Sequence, residues 1–181
     1  MKAVFRGPMS KARPLVVLGL SGTLCLALAG SVSAGPNRTV RMQGSEHFVP
    51  NAMIQATLRF APGPLSVASG DTVTWSNTTE EPHTVTVVEG SDVPTTIDEV
   101  FSCGAPGTPC FDAIVAHTAT DPPTLVVGGG ADGAAGLDGA GDSLLVFPGA
   151  QLSAKVTAPS GSTLHYICAI HPWMIGSITV R

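Results

Sequence analysis

The sequence predicts an all-β chain folded as an antiparallel sandwich, on three observations. Seven short runs are rich in Val, Ile, Thr and aromatic residues: 39–43, 54–60, 72–76, 83–88, 151–157, 163–168 and 175–180. Turn-forming clusters divide them, among them Pro62-Gly63-Pro64, Ser69-Gly70-Asp71, Pro148-Gly149 and Pro159-Ser160-Gly161. No stretch sustains the 3.6-residue period of an amphipathic helix. Many short strands with such breakers build a sandwich rather than an alternation of strand and helix.

Residues 1–34 precede that pattern and read as a signal peptide. Lys2, Arg6, Lys11 and Arg13 supply a positive start, residues 14–29 an apolar run, and Val32-Ser33-Ala34 a small-residue cleavage site. The apolar run is shorter than the roughly 20 residues a membrane span needs. Retention of the segment would leave the chain tethered instead of released. Removal leaves residues 35–181, enough for one domain with a core. All 13 acids lie in that part, against Arg38, Arg41, Arg59, Lys155 and Arg181, so the mature net charge falls to about −8. So acidic a chain, with no basic patch, excludes nucleic acid as a partner.

Residues 89–142 interrupt the strands and read as a loop-like insertion. Its Gly-rich part, residues 128–142, holds too little apolar bulk to bury and is expected to be a flexible surface excursion. Asp138 to Leu144 bears a faint likeness to a calcium-binding nonapeptide. One imperfect copy cannot build the stacked sites such repeats need.

Cysteines narrow the chemistry. Cys103 and Cys110 lie close together in a Gly/Pro-rich stretch, and export favours their oxidation to a disulfide. Cys168 is then left over in the mature chain. An unpaired thiol in an oxidising compartment needs a reason to persist, and metal ligation supplies one.

That thiol opens the run Cys168-Ala169-Ile170-His171-Pro172-Trp173-Met174. Thiolate, imidazole and thioether within seven residues can converge on one point, and copper is the metal that uses this mixture. Two His nitrogens and one Cys sulfur would form a trigonal plane, with a long, weak Met bond on its axis. Zinc would more usually receive further Cys or His in place of Met. The second imidazole is expected from His83, which opens an alternating strand just after a turn. His165 falls on the opposite strand face from Leu164, Tyr166 and Cys168. His47 near the N-terminus and His117 in the insertion read, like His165, as surface or internally satisfied histidines.

The segments running from Gly70 to Asn77, from Pro82 to Val85 and from Tyr166 to Gly176 together resemble the plastocyanin and azurin (cupredoxin) family. The short ligand loop is most similar to that of amicyanin. The likeness covers residues 65–88 and 147–180 well and leaves 89–142 outside it. It implies a Greek-key sandwich with one copper held by His83, Cys168, His171 and Met174. It also sets Thr84 where small relatives often carry Asn, so the bond that ties the two ligand segments together is either made by a hydroxyl instead or missing.

Four protein ligands leave little room for a substrate, which points away from an enzyme and toward an exported shuttle of single electrons. Redox partners are expected to dock near His171 and Trp173 on a monomer in the periplasm or outside the cell. The alternative is an extracytoplasmic copper carrier or storage protein, which would need a labile site. A copper oxidase would need further copper centres, and a metal-free interaction sandwich would leave Cys168 unexplained.

Overall fold

The computed structural model describes residues 38–128 and 136–181. The expected signal peptide lies outside those residues. The chain separates into two units, Met1–Ser33 and Ala34–Arg181, and every described residue belongs to the second.

The described strands are β1 (Arg38–Gln43), β2 (Glu46–Val49), β3 (Met53–Ala56), β4 (Arg59–Ala61), β5 (Pro64–Val67), β6 (Thr72–Asn77), β7 (His83–Val88), β8 (Val126–Val127), β9 (Gly136–Leu137), β10 (Ser143–Val146), β11 (Gln151–Val156), β12 (Thr163–Ile167) and β13 (Ile175–Val180). One sheet runs in the order β4-β1-β6-β11-β9, the other β5-β13-β12-β7-β10-β8, and β2 and β3 form a separate hairpin. The sandwich is therefore as expected, although not wholly antiparallel: β1 with β6, β5 with β13 and β9 with β11 pair in parallel.

Period-two alternation aims the core. Val73 and Trp75 point inward from β6, Ala154 and Val156 from β11, Leu164 and Tyr166 from β12, Ile178 and Val180 from β13. Tyr166 sits at the centre, its ring edge-on to Phe60 at 4.9 Å and to Trp75 at 6.1 Å. Opposite it in the β12–β13 ladder is Gly176, where any Cβ would drive into the Tyr166 ring.

The insertion corrects the expectation of a loop. It carries a short helix α1 (Ile97–Ser102) and a longer one, α2 (Pro109–Thr118). Thr96 caps α1 in a capping box with Glu99, and Thr108 caps α2 with Pro109 in its first turn. These are local start signals, and they form helices despite weak periodicity because tertiary packing supplies the rest. The Cys103–Cys110 disulfide joins the two helices, with Cα atoms 5.3 Å apart. Around it Val88, Cys103, Cys110, Ala113, Ile167 and Ala169 form a second apolar cluster on the outer face of the β7–β12 sheet. With both faces covered, β7 is buried at all six positions.

The Gly-rich stretch is also more ordered than expected where it is described. Gly136–Leu137 is a buried strand paired with β11. The Asp142 carboxylate accepts from the backbone N–H groups of Asp138 (2.8 Å) and Gly139 (3.1 Å). That use closes a turn and accounts for the sequence pattern without calcium.

Candidate metal centre

Two segments 85 residues apart converge at one end of the sandwich. His83 begins β7 straight after the turn 78–82, and the loop between β12 and β13 carries Cys168, His171 and Met174. The loop is cross-braced by its own backbone: Cys168 N–H donates to the Met174 carbonyl at 3.0 Å, and Met174 N–H to the His171 carbonyl at 2.9 Å. All four side chains are buried.

Three donor atoms form a triangle. Cys168 Sγ lies 3.6 Å from His83 Nδ1 and 3.7 Å from His171 Nδ1, and the two Nδ1 atoms are 3.0 Å apart. The centre of such a triangle is about 2 Å from each corner, a metal–nitrogen or metal–sulfur bond length of roughly 2.0–2.3 Å. Met174 is wholly buried in the same apolar cluster as Cys168.

The outward nitrogens fix the inward ones. His171 Nε2 lies 2.8 Å from the Glu81 carboxylate, which can only accept, so Nε2 carries the proton and Nδ1 presents its lone pair. His83 Nε2 donates to Thr79 Oγ1 at 2.8 Å, and that hydroxyl donates to Asn77 Oδ1 at 2.8 Å. Asn77 in turn donates to the carbonyls of Glu81 (2.7 Å) and Val146 (3.0 Å), locking the turn. Holding the outer imidazole nitrogen so that the inner one meets a metal is the pattern of a built metal site. Two lone pairs and a sulfur facing one another without a cation would repel.

Burial, reinforced by His171 close by, lowers His83 to a pKa of about 4. Burial also pushes the Cys168 thiol up, against opposing help from the Thr84 N–H, which donates to Sγ at 3.3 Å. In protein alone the pocket thus favours neutral imidazole and thiol. A cation reverses the second preference, since a coordinated thiol ionises outright.

His47 is exposed on the β2–β3 hairpin, and His165 is half-buried on the far face of β12. His117 is buried and internally bonded, although on a helix and not in a loop. Thr84 does tie the two ligand segments together, its hydroxyl accepting from Ala169 N–H at 2.7 Å. His171 is only 6% exposed, with the Glu81 carboxylate against its Nε2. Sequence reasoning missed Asn77, Thr79 and Glu81. The signal was their crowding into the turn before His83, but which would face a ligand nitrogen depends on the turn's shape. Among the described residues a second metal-sized grouping, Glu46, Glu81 and His171, shares this same histidine.

A β-sandwich with a buried His2Cys triangle and an adjoining Met defines the class of cupredoxin-type copper proteins. The family model for copper binding proteins of the plastocyanin/azurin family matches residues 49–181, and the chain belongs to that family. Copper is the metal of that family, and His83, Cys168, His171 and Met174 stand in the arrangement of a type 1 copper site. Among solved structures the chain is similar to a novel purple cupredoxin from Nitrosopumilus maritimus, with 16% identity and a TM-score of 0.43, covering 80% of this chain and 100% of that one. It is also similar to a mutant amicyanin in the Cu(I) form, at 17% identity and a TM-score of 0.41, covering 80% and 82%. A mutant fern plastocyanin shows 19% identity and a TM-score of 0.39, covering 79% and 99%. No curated protein matches.

Proposed function

We propose that this protein shuttles single electrons between redox partners in an extracytoplasmic compartment, with His83, Cys168 and His171 as the copper plane and Met174 as the weak axial ligand. The observation that carries the reading is the fixing of both imidazoles, by Thr79 and by Glu81, with their Nδ1 atoms turned on the Cys168 sulfur. Bound copper would supply a one-electron Cu(I)/Cu(II) couple. The protein's part is to hold the donors still. Strand β7 is buried along its whole length, the ligand loop is braced by its own backbone, and each ligand histidine has one permitted orientation. Donors that cannot move make the two oxidation states cost nearly the same geometry, which favours fast exchange over catalysis at the metal.

Docking fits the loop's rim. Phe147, Ile170, Trp173 and Ile175 are exposed apolar side chains in or beside the segments that hold the ligands, and Trp173 packs edge-on against the His171 ring at 5.3 Å. A small apolar contact suits a transient encounter below about 1,200 Å². Export fits the unpaired thiol kept beside an oxidised Cys103–Cys110 pair. No helix among the described residues is long and apolar enough to cross a membrane. Cleavage after Ala34 is proposed, and the mass of protein recovered from outside the cytoplasm tests it.

The deciding experiment is to load the mature protein with Cu(II) and record its visible spectrum, then its self-exchange rate and its copper loss to a chelator. An intense thiolate-to-copper band, fast self-exchange and slow copper loss support the shuttle. Copper that passes to the chelator within minutes would instead establish a carrier or storage protein.

A further inference from the structure

The insertion reaches the metal centre through a buried line of hydroxyls. His117, in the last turn of α2, has its Nδ1 2.6 Å from the Thr124 carbonyl, and a carbonyl can only accept, so Nδ1 holds a proton. Burial lowers the pKa of this histidine and keeps it neutral, which leaves Nε2 as an acceptor. Its partner is the Ser143 hydroxyl on β10, at 2.8 Å. With its own proton given to His117, Ser143 Oγ must accept from Thr86 at 2.8 Å, and Thr86 Oγ1 from Thr84 at 2.9 Å. Thr84 Oγ1 accepts from Ala169 N–H at 2.7 Å, beside Cys168. Every side chain in the line is at most 1% exposed. All the protons therefore point one way, from the ligand loop toward α2.

That direction matters at one atom. The Thr84 hydroxyl sits against the peptide that follows Cys168, where it accepts from Ala169 N–H, and the Thr84 N–H donates to the Cys168 sulfur itself. We infer that His117 is a positioning residue for the copper site: by drawing the hydroxyl line toward α2 it keeps the Thr84 proton on Thr86 and off the Cys168 sulfur. A thiolate spared a second hydrogen bond stays a stronger donor and favours Cu(II). The inference rests on the copper reading above.

The test uses full-length mature protein loaded with copper. Thr86→Val keeps the shape of the side chain and removes the hydroxyl, freeing the Thr84 proton to turn to sulfur. The charge-transfer band is expected to move to shorter wavelength and the reduction potential to rise, while Thr86→Ser keeps both at their wild-type values. His117→Phe is expected to shift them in the same direction. The double variant should shift no further than the larger single one, because both break one line. In reduced, diamagnetic wild-type protein, nitrogen NMR should find His117 as the neutral Nδ1–H tautomer, a readout that stands even if His117→Phe fails to fold. Blue variants with an unmoved band and potential, additive shifts, or an Nε2–H tautomer would each overturn the inference. A wild-type protein that is not blue at all would overturn the copper reading, and this inference with it.

Discussion

The ligand end of the sandwich and the insertion that covers its outer sheet are held by different physics. At the ligand end, polar groups converge: two imidazoles, a sulfur, Thr79, Glu81 and Thr84 hold one another through hydrogen bonds. The insertion is held by two helix caps, one disulfide and a small apolar cluster against Val88, Ile167 and Ala169. Chemistry in the first region is concentrated in residue types that have few alternative uses. Structure in the second comes from residues that are common in loops as well. The ligands of the first could therefore be read along the chain, whereas of the second only the disulfide could.

The sharpest break of that comparison is Cys168→Ser. It should abolish the intense visible band of the Cu(II) protein entirely, since no other described cysteine is free to supply a thiolate. A band that survives would show that Cys168 is not the thiolate that holds the copper.

Next in size is Gly176→Ala, which forces a methyl into the buried Tyr166 ring at the root of the ligand loop. Overpacking of this kind costs about 1–3 kcal/mol or more, and denaturant melting of the apoprotein should show it. An unchanged midpoint would mean that the loop's base is not tightly packed.

The insertion has its own test. Replacing Cys103 and Cys110 together by Ser removes a short closed loop, with an expected cost of roughly 2–3 kcal/mol in thermal melting. The blue colour should remain, because the disulfide touches no donor. Loss of colour would show that the two regions are a single cooperative unit.

Met174→Leu is gentler, since it removes the thioether but keeps a similar apolar volume in the core. Copper should stay bound and blue while the potential rises by several tens of millivolts, about 59 mV for each tenfold change in relative affinity. Voltammetry that finds no rise would deny Met174 the axial position. Smallest of all, His47→Ala and His165→Ala should leave band and potential in place, since neither side chain lies at the site.

The Cys168–Met174 spacing, the odd thiol and the strand opening at His83 together point to the ligands, and the helical caps at Thr96 and Thr108 are equally present in the sequence. The caps went unread because a cap marks where a helix can start and not that one pays its entropy cost. That cost is met only when Cys110 and Ala113 pack on the sheet. The strand 54–60 likewise divides into β3 and β4, as the chain turns from the hairpin into the first sheet.

What the sequence determined by itself was the class of fold, the metal and the donor set, because alternation, turn residues and soft ligands are properties of residues and short spacings. Only the tertiary structure decided that Thr79 and Glu81 orient the two imidazoles, and that His117 joins the Thr84–Thr86–Ser143 line. Those pairings close over 4, 90, 2, 57 and 26 residues along the chain. A hydrogen bond depends on distances of tenths of an ångström, and those are set by how the sheets pack and not by the order of the residues.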